Sequence, residues 1–537
     1  MGETLKSWID EYESGRTKDL PMWIRTEDLK LWGEFVHSHP EVAERIARER
    51  ELTQKLAKDP NSIETMFDYG VKNVNRALEK MDLSVTKALN GIRSASIRNG
   101  NLVFTALFHH LINRQLLKMA FSHLRKSAAP GIDRVTWDEY QRDLDSNINK
   151  LWERLISWRY YPQPVRRTYI PKASGGMRPL GICAIEDKIV QYALKMILEN
   201  IYEPRFLGLS YGFRPGTRAH DALDAVYVAI TEKNVNYVLD ADIVGCFDNI
   251  NQEILLEILK DSIGDKRVLK LIGRLLRAGV LDKGELRTVD NGVVQGSPLS
   301  PLLANVFLDY VLDKFIVWWR KTFAKGEVYY VRYADDYIIC FQHKEDAEDL
   351  LKVLADRLLC AGLRLNDKKT RLIEFGKNAR SHTDSKQKAN LETFNFLGFT
   401  HKCGLTRNGR TFKLVRHCIS ERVTKKLLDF KNKLYKLRFP SLKDMIAWIN
   451  SVLKGYYAYF AVPDNLEPLS SFRHALMKIV YKRLHRFSQR CKWTWEKFNR
   501  HLSSKFVIPR RCHDYPNRRM AGRQKTLHLL RFTIERE

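Results

Sequence analysis

Apolar and polar positions alternate most clearly from Tyr329 to Phe341, YYVRYADDYIICF, where Val, Tyr and Ile recur at strand spacing on either side of Asp335 and Asp336. The pattern predicts a hairpin that buries one face and leaves its tip exposed. In Asn236 to Ile250, NYVLDADIVGCFDNI, the apolar run Tyr237-Val238-Leu239 leads to Asp242, which is thereby placed at a strand end. Gln295-Gly296-Ser297-Pro298 reads as a turn before the apolar, helical Leu299 to Val311. Farther on, Pro440-Ser441-Leu442-Lys443-Asp444 offers a helix start with a Ser-x-x-Asp cap. Leu442, Met445, Ile446, Ile449, Val452, Leu453 and Tyr456 then make one stripe at helical spacing, and Leu469, Phe472, Leu476, Ile479, Val480 and Phe487 make another. Near the start, Pro40 to Lys58 and Ile63 to Leu89 are helix-forming.

Length and charge narrow the picture. A chain of 537 residues can bury a substantial core and fill several domains. Its net charge of +28 implies a polyanionic partner, and the excess is local. From His401 onward there are 32 Lys and Arg against 9 Asp and Glu, whereas the first 400 residues carry only +5. Clustering of this kind suggests a phosphate-binding surface. No apolar run reaches membrane-spanning length, and Met1-Gly2-Glu3-Thr4-Leu5-Lys6 shows neither signal-peptide nor acylation character, so a cytoplasmic protein without a membrane partner is expected. The eight cysteines form no Cys-x-x-Cys pair and read as free thiols. Cys403, His417, Cys418, Cys512 and His513 fit no usual zinc spacing.

Adjacent carboxylates in an apolar setting need a counter-charge, since each raises the other's pKa; a divalent cation is the economical one. Asp242 and Asp335, on separate strands, could converge on two such ions roughly 3.5–4 Å apart, as two-metal phosphoryl transfer requires. Asp240 or Asp248, taken alone, equally suits a strand end or a turn cap.

Seven blocks in order carry a family resemblance: IPKASGGMRPLGI from Ile170, YGFRPGTRAHDAL from Tyr211, DADIVGCFDNI, VVQGSPLSPLLANVFLD from Val293, YADD, LRLNDKKTR from Leu363 and FNFLGF from Phe394. The chain from about Leu111 to about Arg519 resembles the group II intron reverse transcriptase/maturase proteins. That resemblance implies an α+β right-hand polymerase fold: a helical extension of unreadable role over 1–105, fingers over 106–235, a palm over 236–400, a basic helical thumb/maturase domain over 401–505 and a basic tail over 506–537. Ala128-Ala129-Pro130-Gly131-Ile132-Asp133 resembles the first fingers motif.

The implied activity is Mg2+-dependent, RNA-templated addition of deoxynucleotides to a DNA or RNA primer. The resemblance places two Mg2+ ions, with Mn2+ as a substitute, on Asp242, Asp335 and the backbone carbonyl of Ile243. Asp336, facing away from Asp335 in a regular strand, becomes a weaker or outer ligand. Lys172 and Arg178 are implied to hold the triphosphate, Phe247 to exclude a ribose 2′-hydroxyl, and Gln295 to contact the nascent base pair. Tyr333 would lie beneath the primer end, beside a small Ala334, and Phe396, Leu397 and Gly398 would form the primer grip. Blander readings stand beside these: a surface hairpin around Gly175-Gly176, a core phenylalanine at 247 and a buried strand at Phe396-Leu397-Gly398-Phe399.

On the second apolar helix, Arg473, Lys478, Lys482, Arg483, Arg486 and Arg490 form a basic face suited to a duplex or a structured intron RNA. A domesticated relative working in repair, phage defence or beside a CRISPR system, and a non-enzymatic RNA-binding splicing factor, are the competing readings. Val244 and Asp240 depart from the commoner Lys and Glu, no HNH-type nuclease ending is present, and Cys512 to Arg536 reads as a basic tail, either DNA-binding or disordered.

Overall fold

The computed structural model describes residues 83–171, 176–287, 291–379, 391–406, 408–487, 494–514 and 516. Lys172, Arg490, the stretch Pro40 to Lys58, residues 63–82 of the expected helix Ile63 to Leu89, and residues 515 and 517–537 of the basic tail lie outside these residues. The architecture of the described residues is α+β, with three small sheets among helices.

The central sheet has the order β6-β7-β3-β8, with β3 Tyr237–Ala241, β6 Val328–Tyr333, β7 Asp336–Phe341 and β8 Arg371–Glu374. All its pairings are antiparallel. Side chains alternate across a strand, and here the two faces feed two different cores. Leu239, Ala241, Tyr330, Tyr337, Ile339 and Phe341 join the large helical core, while Val238, Val331, Ile338 and Cys340 join a second core. The expected hairpin is present, but both of its faces are buried rather than one. Its tip is covered too: Ala334 is only 6% exposed. The covering element is Leu209 to Gly212, which runs along β6 through Arg332 N to Leu209 O at 2.9 Å and Tyr211 N to Arg332 O at 2.8 Å.

A second sheet, β2-β1-β4-β5, combines β1 Val165–Pro171, β2 Met177–Ile182, β4 Val280–Asp282 and β5 Glu285–Arg287; β1 and β4 are parallel. The third, β11-β10-β9, contains β9 Phe394–Phe396, β10 Phe399–Leu405 and β11 Phe412–Cys418. The helices Ser420–Lys436, Leu442–Phe460 and Leu466–Phe487 build a third core from Leu434, Met445, Ile449, Leu453, Leu469, Phe472, Leu476 and Val480. Ser441 caps the second of these helices, its hydroxyl accepting from Asp444 N at 3.2 Å, as the Ser-x-x-Asp pattern predicts.

The helix Leu83–Arg98 packs Val85, Leu89 and Ile92 into the large core, and its Ser96 Oγ donates to Ile201 O at 2.7 Å. The helix read over Leu299 to Val311 is α-helical over Ser300–Leu308, turns π-helical over Asp309–Asp313 and resumes as α over Lys314–Thr322. Among the described residues, no helix is long and apolar enough to cross a membrane.

Candidate active site

Tyr333 pairs with Asp336, so Ala334 and Asp335 form a two-residue hairpin loop. Ala334 has φ +60° and Asp335 does not share the positive φ, a backbone for which glycine is usual at the first central position. A side chain at that position needs support from outside the loop, and Gly212 supplies a close-fitting backbone: a Cβ built on it would stand 2.4 Å from Ala334 N. Asp335 and Asp336 emerge from the loop next to Asp242, which directly follows β3.

Burial pushes the Asp335 carboxyl above the ordinary carboxylate range, Asp242 adds to the shift, and Arg178 and Arg332 oppose it. Asp336 is raised further, to about 7, by burial first and then by Asp335, Asp240 and Asp242; a hydrogen bond from the Leu397 N–H lowers it. The three acids therefore share one electrostatic field, as does Arg178. Among the described residues no group of three or more His, Cys, Asp or Glu is ready-made to hold a metal ion. Asp242 meets cationic and amide donors instead: its carboxylate accepts from Lys369 Nζ at 2.9 Å and Asn366 Nδ2 at 3.0 Å, and its carbonyl from Asn366 N at 2.8 Å.

This electrostatics predicts a pH dependence. A carboxyl whose folded pKa lies above its unfolded value stabilises the fold at low pH and loses that contribution as pH rises through the folded pKa. In chelator, the melting temperature should therefore fall between pH near 4 and about 7, and Asp336→Asn should flatten that slope. Thermal melts of both proteins across this window check it.

The expected site residues are placed as follows. Leu397 and Gly398, at φ +48° and +86°, make the tight turn between β9 and β10 rather than continuing a strand. Leu397 touches Asp336 through its N–H and accepts from Tyr459 Oη at 2.8 Å, whereas Phe396 is buried in the second core. Tyr333 packs at the edge of that core. Gln295 Nε2 donates to both carboxylate oxygens of Asp248 at 3.2 Å, and its carbonyl accepts from Gly181 N at 2.7 Å. The turn thus sits on β2, three residues from Arg178. Gly296, at φ +108°, would drive a Cβ to 2.6 Å from Gly181 O. Phe247 lies in the short helix Cys246–Asn249, partly buried, with its carbonyl held by Val293 N at 2.8 Å. Ile243 forms an isolated bridge with Leu365.

The helical basic face needs one correction. Arg473 is turned inward, donating to the carbonyls of Ser503, Phe506 and Val507 and so tying its helix to the following segment. Lys478, Lys482 and Arg486 remain exposed, and Arg483 and Arg486 both lie over the Tyr435 ring, at 5.2 and 5.7 Å. Cysteines and histidines of the dismissed zinc set have separate tasks: Cys418 Sγ accepts from Asn465 Nδ2 at 2.9 Å and His513 Nε2 meets Ala458 O at 2.8 Å.

Sequence reasoning assigned no role to Asn366 or Lys369, although both lie in the LRLNDKKTR block, nor to Asn305, Asp313 and Arg332. The first two had a usable signal in that block. Asn305 and Arg332 also stand in quoted blocks, VVQGSPLSPLLANVFLD and the YADD run, but the pairing of Arg332 with Asp313 and with Asn305 joins residues 19 and 27 apart and shows only in the fold.

Comparison with known proteins adds an independent line. The profile of the family described as "Reverse transcriptase (RNA-dependent DNA polymerase)" matches residues 170–401. Protein YkfC of Escherichia coli (strain K12) is 33% identical over 278 residues, covering 45% of this chain and 72% of that protein. The group II intron-encoded protein LtrA of Lactococcus lactis subsp. cremoris is 36% identical over 238 residues, covering 44% of this chain and 39% of LtrA. An uncharacterized 91 kDa protein in a cob intron of Schizosaccharomyces pombe is 28% identical over 464 residues, covering 74% of this chain and 56% of that protein. The matched segments thus span well under half of LtrA and a little over half of the yeast protein.

Proposed function

Because the chain belongs to the group II intron-type reverse transcriptase/maturase family, we propose that it copies RNA into DNA by adding deoxynucleotides to a primer 3′ end. The observation that carries this reading is the meeting of Asp242, Asp335 and Asp336 in one field at the ends of three adjacent strands. The donor chemistry suits Mg2+ or Mn2+: Asp242 and Asp335 are hard oxygen ligands whose charges raise one another's cost in a buried setting, and Ile243, next in chain to Asp242, offers a carbonyl. Bound there, the ions supply acidification of the primer 3′-hydroxyl and neutralisation of the triphosphate.

The chain's own residues align the reactants, which is most of what phosphoryl transfer asks of a protein. Lys369 holds the Asp242 carboxylate in an exposed, solvent-screened pair that costs little to rearrange. Arg178, with Lys172, receives the triphosphate, and Gln295, steadied by Asp248, faces the nascent pair. The Leu397-Gly398 turn receives the primer, and its N–H to Asp336 makes that acid a support more than a ligand. In this reading the sheet β2-β1-β4-β5 belongs to fingers, the central sheet to a palm and the helices from Ser420 onward to a thumb. Lys478, Lys482, Arg483 and Arg486 grip a duplex and, in the maturase role, a structured intron RNA.

Mg2+-dependent primer extension on an RNA template is the direct test; a purified chain with no elongation on any primer would overturn the reading. Phe247 gives a finer one. Phe247→Val opens space beside the sugar, so ribonucleotide use relative to deoxynucleotide should rise about ten- to a hundredfold in kcat/KM. Parallel single-nucleotide insertion with each nucleotide type measures it.

A further inference from the structure

The carboxylate hairpin is held from behind by a polar assembly that the proposed chemistry does not use. Arg332, three residues before Asp335, is fully buried, as is Asp313 in the π-helical segment. Arg332 Nε donates to Asp313 Oδ1 at 2.6 Å, and Tyr330 Oη donates to the same oxygen at 2.7 Å. The free end of the guanidinium turns toward the loop: Nη1 donates to Ala334 O at 2.9 Å and to Asn305 Oδ1 at 3.0 Å. Asn305 Nδ2 in turn donates to Gly212 O at 2.8 Å. Asn305 and Asp313 lie on the helical run that follows the Gln295 turn.

Two features separate this assembly from an ordinary core contact. A buried ion pair adds little stability over apolar residues of the same volume, so stability alone does not account for it. Its geometry is also specific: a forked donor joins the carbonyl inside the strained loop to a side chain on another element, and a second hydrogen bond joins that side chain to the backbone covering the loop. With every member paired, the assembly fixes the loop against the helix.

We propose that Arg332, Asp313 and Asn305 are positioning residues that hold the Asp335 loop in register with the Gln295 turn, so that the metal-facing and nucleotide-facing parts of the site form one rigid unit. The proposal rests on the polymerase reading. It assigns the helical run Ser300–Thr322 a mechanical role: whatever seats the nucleotide at Gln295 is transmitted to Asp335 through Asn305 and Asp313.

The test uses the full chain and two variants chosen to fold. Arg332→Met combined with Asp313→Leu replaces both charges with apolar side chains, and Asn305→Asp keeps the acceptor for Arg332 while turning a donor to Gly212 O into a repelling oxygen. The double variant should melt near the wild-type temperature and Asn305→Asp below it but with a cooperative transition, and both should bind primer–template as wild type does. kcat should fall about ten- to a hundredfold, with little change in the nucleotide KM. Mn2+ binding to the nucleotide-free protein, followed by electron paramagnetic resonance, should weaken about tenfold. Folded variants that retain wild-type kcat and Mn2+ affinity would overturn the proposal. Loss of the melting transition in both would also overturn it, by assigning the assembly to folding alone. Wild-type protein assayed alongside separates the two claims: absent elongation there counts against the polymerase reading, and the Mn2+ titration still reports on the assembly.

Discussion

Asp335→Asn is expected to reduce primer extension about a thousandfold or more while leaving the fold intact or slightly more stable. The substitution keeps the shape of the side chain and removes its charge. In the absence of a cation that charge opposes folding, since burial and Asp242 both raise the Asp335 pKa. The amide escapes this cost, so melting temperature in chelator should hold or rise as activity disappears. A structural role would move both quantities down together. Asp336→Asn should be milder, because that carboxylate already accepts the Leu397 N–H. Single-turnover extension at saturating primer–template, beside melts of the same preparations, checks the pair.

Gly212→Ala is the second large effect. Its Cβ would stand 2.4 Å from Ala334 N, 2.9 Å from Tyr333 C and 3.1 Å from Ala334 Cα, all backbone atoms that cannot rotate aside. Either the covering segment lifts from β6 or the loop moves with it. A displacement approaching 1 Å suffices to lower the chemical step about a hundredfold, and the overpacking should destabilise the fold by about 1–3 kcal/mol. Gly216→Ala is the control. At φ +74° it strains the backbone, yet nothing lies within 4 Å of its Cβ, so it should cost some stability and spare the rate. Equal rate losses in the two variants would show that contact with the loop is not what matters at Gly212.

Much of the site was legible because its chemistry is local. The alternation around YADD predicted the hairpin, the run before Asp242 predicted a strand end, and the Ser-x-x-Asp pattern found its helix start. What alternation could not show was how many cores the strands serve. Period two says that neighbours face opposite ways, not whether both sides are covered, so the hairpin was expected to bury one face and buries two. The inward hydrogen bonds of Arg473 were hidden for a related reason. A helical wheel shows which residues share a face, but the segment 503–507, which folds back onto that helix, is remote in sequence. Leu397 and Gly398 are placed near the primer by resemblance, while the effect of the Leu397 N–H on Asp336 depends on sheets that meet only in three dimensions.

The π-helical stretch Asp309–Asp313 carries a consequence for how this sequence can vary. A π-helical turn already takes in one residue more than an α-helical turn, and each residue of a helix adds about 100° of rotation, so inserting one more would swing Asp313 away from Arg332 and carry the whole downstream helix Lys314–Thr322 around with it. Substitutions elsewhere on that rod can be absorbed by neighbouring side chains, whereas a change of length has no such remedy. The spacing of codons between Asn305 and Asp313 is therefore constrained more tightly than most of the letters they spell.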